Sequence, residues 1–279
     1  MTAPRKALLA ATGAGAARLA LHAATRVADR TSGARLRRTN YAGRPVSLLG
    51  GPALAVSATA TAVLGASAAS RAAAAVVGAV AGAVGSYDDL AGARLDQARD
   101  KGLAGHLTAL RAGRLSAGAV KVAGIGAAGA VAALLTRRSS GAAGVLEGVL
   151  TTGLVAGTAN LINLFDLRPG RAAKAVIGVA AATLGGPTGG LLAGPLGATA
   201  AVLPADLAEQ VMLGDCGANA LGALIGLRLA QLPGLSMRAG LLAGVVALNL
   251  ASEKISFTQV IEATPGLREL DRLGRRRSE

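Results

Sequence analysis

Long apolar blocks separated by short polar stretches run through the whole of this chain. They predict helices at roughly 7–25, 47–69, 72–86, 119–136, 142–164, 173–186, 188–204, 217–233 and 238–252. A helix needs about 20 mostly apolar residues to cross a bilayer. The pattern therefore predicts an all-α, polytopic membrane protein with about nine (8–10) transmembrane helices. Several blocks are shorter than a full span, which tilting or merging of neighbours would accommodate. No half of the chain is polar and no long Ser/Pro linker divides it, so one domain over 1–279 is expected. At the N-terminus, Arg5 and Lys6 precede an apolar stretch as in a signal peptide. That stretch is only mildly hydrophobic and Arg18 interrupts it, which predicts a first, weak transmembrane helix instead.

Composition sharpens this picture. The hydrophobic fraction is 52%, and 40 glycines accompany abundant alanine. Small residues of that kind let helices approach closely in lipid. The net charge of +14 would suggest nucleic acid in a soluble protein, but two Tyr, two Phe and no Trp leave little to stack on bases. Basic residues flanking apolar runs fit the positive-inside rule better. With nine helices, the segments 26–46, 87–118, 165–172, 205–216 and 253–279 fall on one side. Together with Lys121 and Lys174 at the adjoining helix starts, that side holds 21 of the 29 Lys and Arg, against six on the other. The bias makes it cytoplasmic. A single cysteine, Cys216, rules out an internal disulfide.

The few acidic residues then stand out, because carboxylates beside hydrocarbon are costly and usually mark chemistry. Asp88-Asp89 closes the third helix, and an adjacent pair can hold a divalent cation or act as a base; a solvated turn is the plainer reading. Asn160-Leu-Ile-Asn163-Leu-Phe-Asp166 places Asn160, Asn163 and Asp166 along one helical face. Asn amides there suit a uracil edge, a ribose or a sugar amide, or simply satisfy a helix C-terminus. Gly214-Asp215-Cys216-Gly217 opens the eighth helix. Its glycines admit a ligand close to the backbone and the helix N-terminus favours phosphate, unless Asp215 is only an N-cap. All three sites fall on the side predicted to be cytoplasmic.

In this order, and with Arg44-Pro-Val-Ser-Leu-Leu-Gly-Gly51 ahead of the second helix, the motifs resemble those of the polyprenyl-phosphate N-acetylhexosamine-1-phosphate transferases. That family includes the phospho-N-acetylmuramoyl-pentapeptide transferase of peptidoglycan synthesis and the GlcNAc-1-phosphate transferases. The resemblance runs from about Arg44 to Gly226. It differs after Asp166, where Leu167-Arg168-Pro169-Gly170-Arg171 replaces the family's Gly and Asp-Gly. The histidine run of the pentapeptide branch is also missing, the histidines here being His22 and His106.

The resemblance implies transfer of a sugar-1-phosphate from a UDP-N-acetylhexosamine to polyprenyl phosphate, with release of UMP, in cell-envelope polysaccharide or peptidoglycan precursor synthesis. It implies Mg²⁺ (or Mn²⁺) held by Asp215, and catalytic roles for Asp88, Asp89 and Asp166. Asn160, Asn163, Lys101, Lys121 and Arg171 would bind substrate. The expected setting is the plasma membrane, with membrane lipid as surroundings, no nucleic acid, and a homodimer compatible with the sequence. Two alternatives stay open: an inactive relative serving as a membrane scaffold, and an ion-coupled transporter. The tail from Leu267 to Arg277, which alternates Arg with Leu, lies either on anionic lipid or free in solvent.

Overall fold

A computed structural model describes residues 1–30, 36–91 and 117–276. Among the described residues each apolar block is helical. The helices are α1 (Ala3–Arg30), α2 (Gly50–Gly65), α3 (Arg71–Ala91), α4 (Ala117–Leu135), α5 (Gly141–Phe165), α6 (Arg171–Ala182), α7 (Ala193–Leu207), α8 (Gly214–Ala230) and α9 (Leu235–Ser252). Two short helices follow, α10 (Phe257–Ala263) and α11 (Leu267–Arg272). Among the described residues six helical stretches are long and apolar enough to cross a membrane: Ala3–Arg30, Ala68–Leu90, Gly118–Leu135, Gly141–Phe165, Gly189–Leu207 and Leu235–Ser252. The apolar α2 is shorter, at 16 residues. The other two are also short, α6 with 12 residues and α8 with 17.

The fold is organised around α8, which is buried along its whole length except at Asp215. In lipid there is little hydrophobic drive between helices, so close packing must hold them together. The small residues serve that purpose. A Cβ on Gly222 would lie 2.6 Å from both Ala159 Cα and Thr158 O, and one on Gly226 would lie 2.6 Å from Val155 Cα. At this crossing α5 and α8 touch backbone to backbone. Larger side chains (Leu54, Leu154, Leu221, Leu224 and Ile225) fill the rest of one continuous core. Hydroxyls inside the helices are satisfied locally: Ser57 Oγ donates to Ala53 O at 2.6 Å and Thr199 Oγ1 to Pro195 O at 2.8 Å.

The helices run between two distinct ends. At one, Lys6 Nζ donates to Leu184 O at 2.6 Å and Arg228 Nε to Thr183 O at 3.0 Å. Glu147, on α5, accepts there from Ser139 Oγ at 3.2 Å and faces Arg238 at 3.7 Å. At the other end lie the close of α3, α5 and α7 and the start of α2, α4, α6 and α8, joined by the contacts described below. Segments 37–47, 165–171, 206–215 and 257–276 all belong to this second end, the grouping that the charge bias assigned to one side.

One element departs from the all-α expectation. Strand β1 (Arg37–Thr39) pairs antiparallel with β2 (Pro45–Ser47) in the register Arg37↔Ser47, Arg38↔Val46, Thr39↔Pro45. Asn40 shapes the turn, its Oδ1 accepting from Ala42 N at 2.9 Å and Arg44 N at 3.0 Å. On its other edge Ser47 accepts from Met212 N at 2.9 Å and donates to Gln210 O at 3.1 Å. The hairpin is thus tied to the strand-like stretch that leads into α8.

Candidate functional site

The turn before α8 is built from three directions. The hairpin holds Met212, α2 packs Gly51 against Leu213 and Gly217, and α3 brings Gly85 against the backbone of Asp215 and Cys216. Gly214 has φ +58°, and a Cβ there would sit 2.9 Å from Asp89 Oδ2. Only glycine combines that backbone with that proximity at low cost. The carboxylate of Asp89 then accepts from both Asp215 N and Cys216 N, each at 3.0 Å. A negative charge at a helix start is favoured by the exposed N–H groups and the helix dipole. Asp89 therefore caps α8 from a neighbouring helix, and Arg38 donates to its carbonyl oxygen. The N–H groups that the sequence offered to phosphate are spent on this cap.

Asp88 and Asp215 face one another across Lys121. Its Nζ lies 3.0 Å from Asp88 Oδ2 and 2.6 Å from Asp215 Oδ2. All three side chains are half-buried, and the ammonium offsets the charge of the two carboxylates, which also contact one another. Asp166 caps the end of α5, and its Oδ2 is buried without a hydrogen-bond partner. Burial first, and Asp206 next, push this carboxyl well above the usual range; the Gly214 N–H works against them. Such a group gains from any donor or cation brought to it.

Asp89 and Asp166 open onto a cavity of about 550 Å³ whose wall also includes Arg38, Tyr41, Asp206 and Glu209. The last two acids carried no sequence signal of their own. Asp206, buried at the end of α7, accepts from Gly170 N at 3.1 Å. Glu209 has φ +57°, which is unusual for a residue with a side chain, and pairs with Arg44 at 3.1 Å and with Asn40. Arg168 stacks over the Tyr41 ring, 4.0 Å from its centre.

Other predicted residues go elsewhere. Asn160 is exposed and donates to Asn249 Oδ1 at 2.6 Å, while Asn249 donates to Gly157 O at 3.1 Å; together they fasten α9 to α5. Asn163 stays half-buried one turn before Asp166, and its carbonyl accepts the Asp166 N–H at 3.0 Å. Lys101 and His106 lie outside the described residues. The clearest departure is Arg171. Its buried guanidinium makes a two-pronged pair with Asp271 (Nε to Oδ1 at 2.8 Å, Nη2 to Oδ2 at 3.1 Å) and donates to Thr258 at 2.9 Å. That fork matches a carboxylate and is saturated by it. Lys174 adds bonds to the carbonyls of Leu270 and Asp271, at 2.9 and 2.8 Å. Arg275 returns to Pro169 O at 2.9 Å, and Phe257 stacks on Phe165 with ring centres 5.3 Å apart. The tail is docked rather than free.

Breaking this pin has an expected result. Burial alone would raise the Asp271 carboxyl, but the hydrogen bonds and charge of Arg171, then Arg275 and Lys174, hold it below the usual range. A depressed carboxylate stabilises the folded form above its ordinary value of 3.8 and loses that contribution as pH falls through the lower folded value. Asp271→Asn removes it at every pH. Trypsin should therefore cut that variant at Arg268 and Arg272 faster than the parent chain. A spin label on the tail should gain mobility in the parent only below about pH 3.8.

Among the described residues no three carboxylates, histidines or cysteines stand together as a ready metal site. Asp88 and Asp215 nevertheless offer hard oxygen donors around a place that already carries one positive charge, that of Lys121. Donors of that kind suit Mg²⁺ or Mn²⁺. Comparison with protein-family models, with curated proteins and with solved structures gives no match. What the fold defines is a class: a mostly helical protein with, among the described residues, six helices long and apolar enough to cross a membrane, and with Asp88, Asp89, Asp166, Asp206, Glu209 and Asp215 at one end.

Proposed function

We propose that the chain is a sugar-1-phosphate transferase of the membrane, acting at its cytoplasmic face with about nine helices in the bilayer. One observation carries the reading. Carboxylates from three distant segments (Asp88 and Asp89, Asp166, Asp215) meet at a single end of the bundle, with Lys121 among them and a cavity beside them. A purely structural ion pair needs no such convergence.

In the proposed reaction an oxygen of polyprenyl phosphate forms a bond to the sugar-bearing phosphorus of a UDP-N-acetylhexosamine. The anhydride bond breaks and its electron pair leaves with UMP. A phosphate nucleophile is already ionised at neutral pH, so the carboxylates position rather than deprotonate. Asp89 fixes the turn that presents Asp215. Lys121 spends two of its three donors on Asp88 and Asp215, which leaves one for a phosphate oxygen. Asp166, which lines the cavity and has an unpartnered carboxyl oxygen, accepts from a hydroxyl or amide of the sugar. Asp215 would hold Mg²⁺, which would supply charge neutralisation for the pyrophosphate. Asn160 and Arg171 drop out of the substrate contacts, since α9 and the tail engage them.

A second reading, an inactive relative that scaffolds envelope assembly, is favoured by one observation. Several motif residues (Asp89, Asn160, Arg171) are committed to structure. Ion-coupled transport is disfavoured, because the acids sit at helix ends rather than at mid-depth. Purified protein with Mg²⁺, undecaprenyl phosphate and a panel of radiolabelled UDP-N-acetylhexosamines separates the first two readings. UMP release supports the transferase. Folded protein that turns over no member of the panel supports the scaffold.

A further inference from the structure

The docked tail has a flank that the transferase reading leaves unused. At 100° per residue, Leu267 and Leu270 fall on one side of the buried Asp271 in α11, and Arg268 and Arg272 fall on the other. Leu267, Leu270 and the following Leu273 are 47%, 57% and 66% exposed. Ile255 and Val260, earlier in the same segment, are exposed as well. Single exposed leucines are ordinary on a protein surface, but Leu267 and Leu270 side by side on one flank of a short helix, with further exposed apolar side chains before and after it, are not.

The level of the segment decides what covers that flank. Phe257 stacks on Phe165, the last residue of α5. Arg171 and Lys174, which grip α11, form the first turn of α6. The tail therefore lies where the apolar helices end, at the depth of a bilayer's headgroups. A helix with leucines on one flank and arginines on the other is suited to that boundary, and basic side chains there are drawn to anionic lipid.

We propose that residues 257–276 form an interfacial strap on an anionic bilayer surface. The leucine flank enters the acyl boundary, and Arg268, Arg272 and Arg276 meet lipid phosphates, with Glu269 turned to water. Asp271 is the pin that fixes the rotation of α11, so the leucines cannot roll away from the lipid. This surface is independent of whether the site catalyses transfer.

The test uses full-length protein in lipid nanodiscs. An environment-sensitive dye is attached through Leu270→Cys or, for comparison, Glu269→Cys, with the parent chain as the labelling blank because Cys216 is buried. Discs contain phosphatidylcholine alone or mixed with phosphatidylglycerol, each with and without brominated acyl chains. The strap requires blue-shifted emission and bromine quenching from the Leu270→Cys label, weaker quenching from the Glu269→Cys label, and a larger difference in the anionic discs. Replacing Arg268 and Arg272 by Gln should remove the dependence on phosphatidylglycerol. Water-like emission from the Leu270→Cys label, equal quenching at the two positions, or no effect of the anionic lipid overturns the proposal and leaves the flank to a protein partner.

Discussion

Asp215→Asn should abolish UMP release while leaving the protein folded. Asn keeps the shape of the side chain and its place between Lys121 and the α8 turn, but it removes the charge that faces Lys121 at 2.6 Å. A preorganised group aimed at developing charge is worth roughly 10²–10³-fold in rate. The loss should appear in kcat, since the pyrophosphate carries more charge on its leaving oxygen as the anhydride opens. Thermal unfolding in detergent should change little, because Lys121 keeps its contact with Asp88 at 3.0 Å. Loss of rate together with loss of the fold would instead make Asp215 a structural ion-pair partner.

Gly214→Val is expected to produce the largest structural effect. A side chain at φ +58° costs about 1–2 kcal/mol by itself. The new Cβ would also meet the Asp89 carboxylate 2.9 Å away. Asp89 must then give up one or both of its bonds to Asp215 N and Cys216 N, and an unsatisfied buried group of that kind costs about 1–3 kcal/mol. The total is about 2–5 kcal/mol, concentrated on the turn that presents Asp215. Thermal unfolding in detergent measures the first part. Hydrogen exchange at the first amides of α8 measures the second, and those amides should become the most altered in the chain. An unchanged exchange pattern there would remove Asp89 from its role as the cap of α8.

The helices were legible in the sequence because apolar length is a local property, and every block became a helix near its predicted bounds. The hairpin was not. Its strands have three residues each, Arg-Arg-Thr and Pro-Val-Ser, too short to show an alternating pattern, and they are held by pairing with residues 210–212, far along the chain. The site was legible in outline, since Asp88, Asp89, Asp166 and Asp215 are found at one end. Their division of labour was not. Asp89 as the cap of α8 depends on α3 reaching a turn 126 residues later. Asn160 and Arg171 have the residue types of substrate contacts, but their partners Asn249 and Asp271 lie 89 and 100 residues away. Glu209 could not be picked out at all, since its place at the cavity follows from a backbone conformation that side chains rarely adopt.

The central claim is that one end of the bundle is a cytoplasm-facing transferase site, and vesicles of opposite orientation test it most directly. Protein is reconstituted with undecaprenyl phosphate and Mg²⁺, with cysteines at Ala42 and Arg138 reporting which end faces outward. UDP-N-acetylhexosamine, which does not cross the bilayer, is then added outside. UMP should be released only by vesicles that expose the Ala42 end, and Asp215→Asn should abolish it. Release from vesicles exposing the Arg138 end, or none from either orientation of folded protein, would contradict the claim.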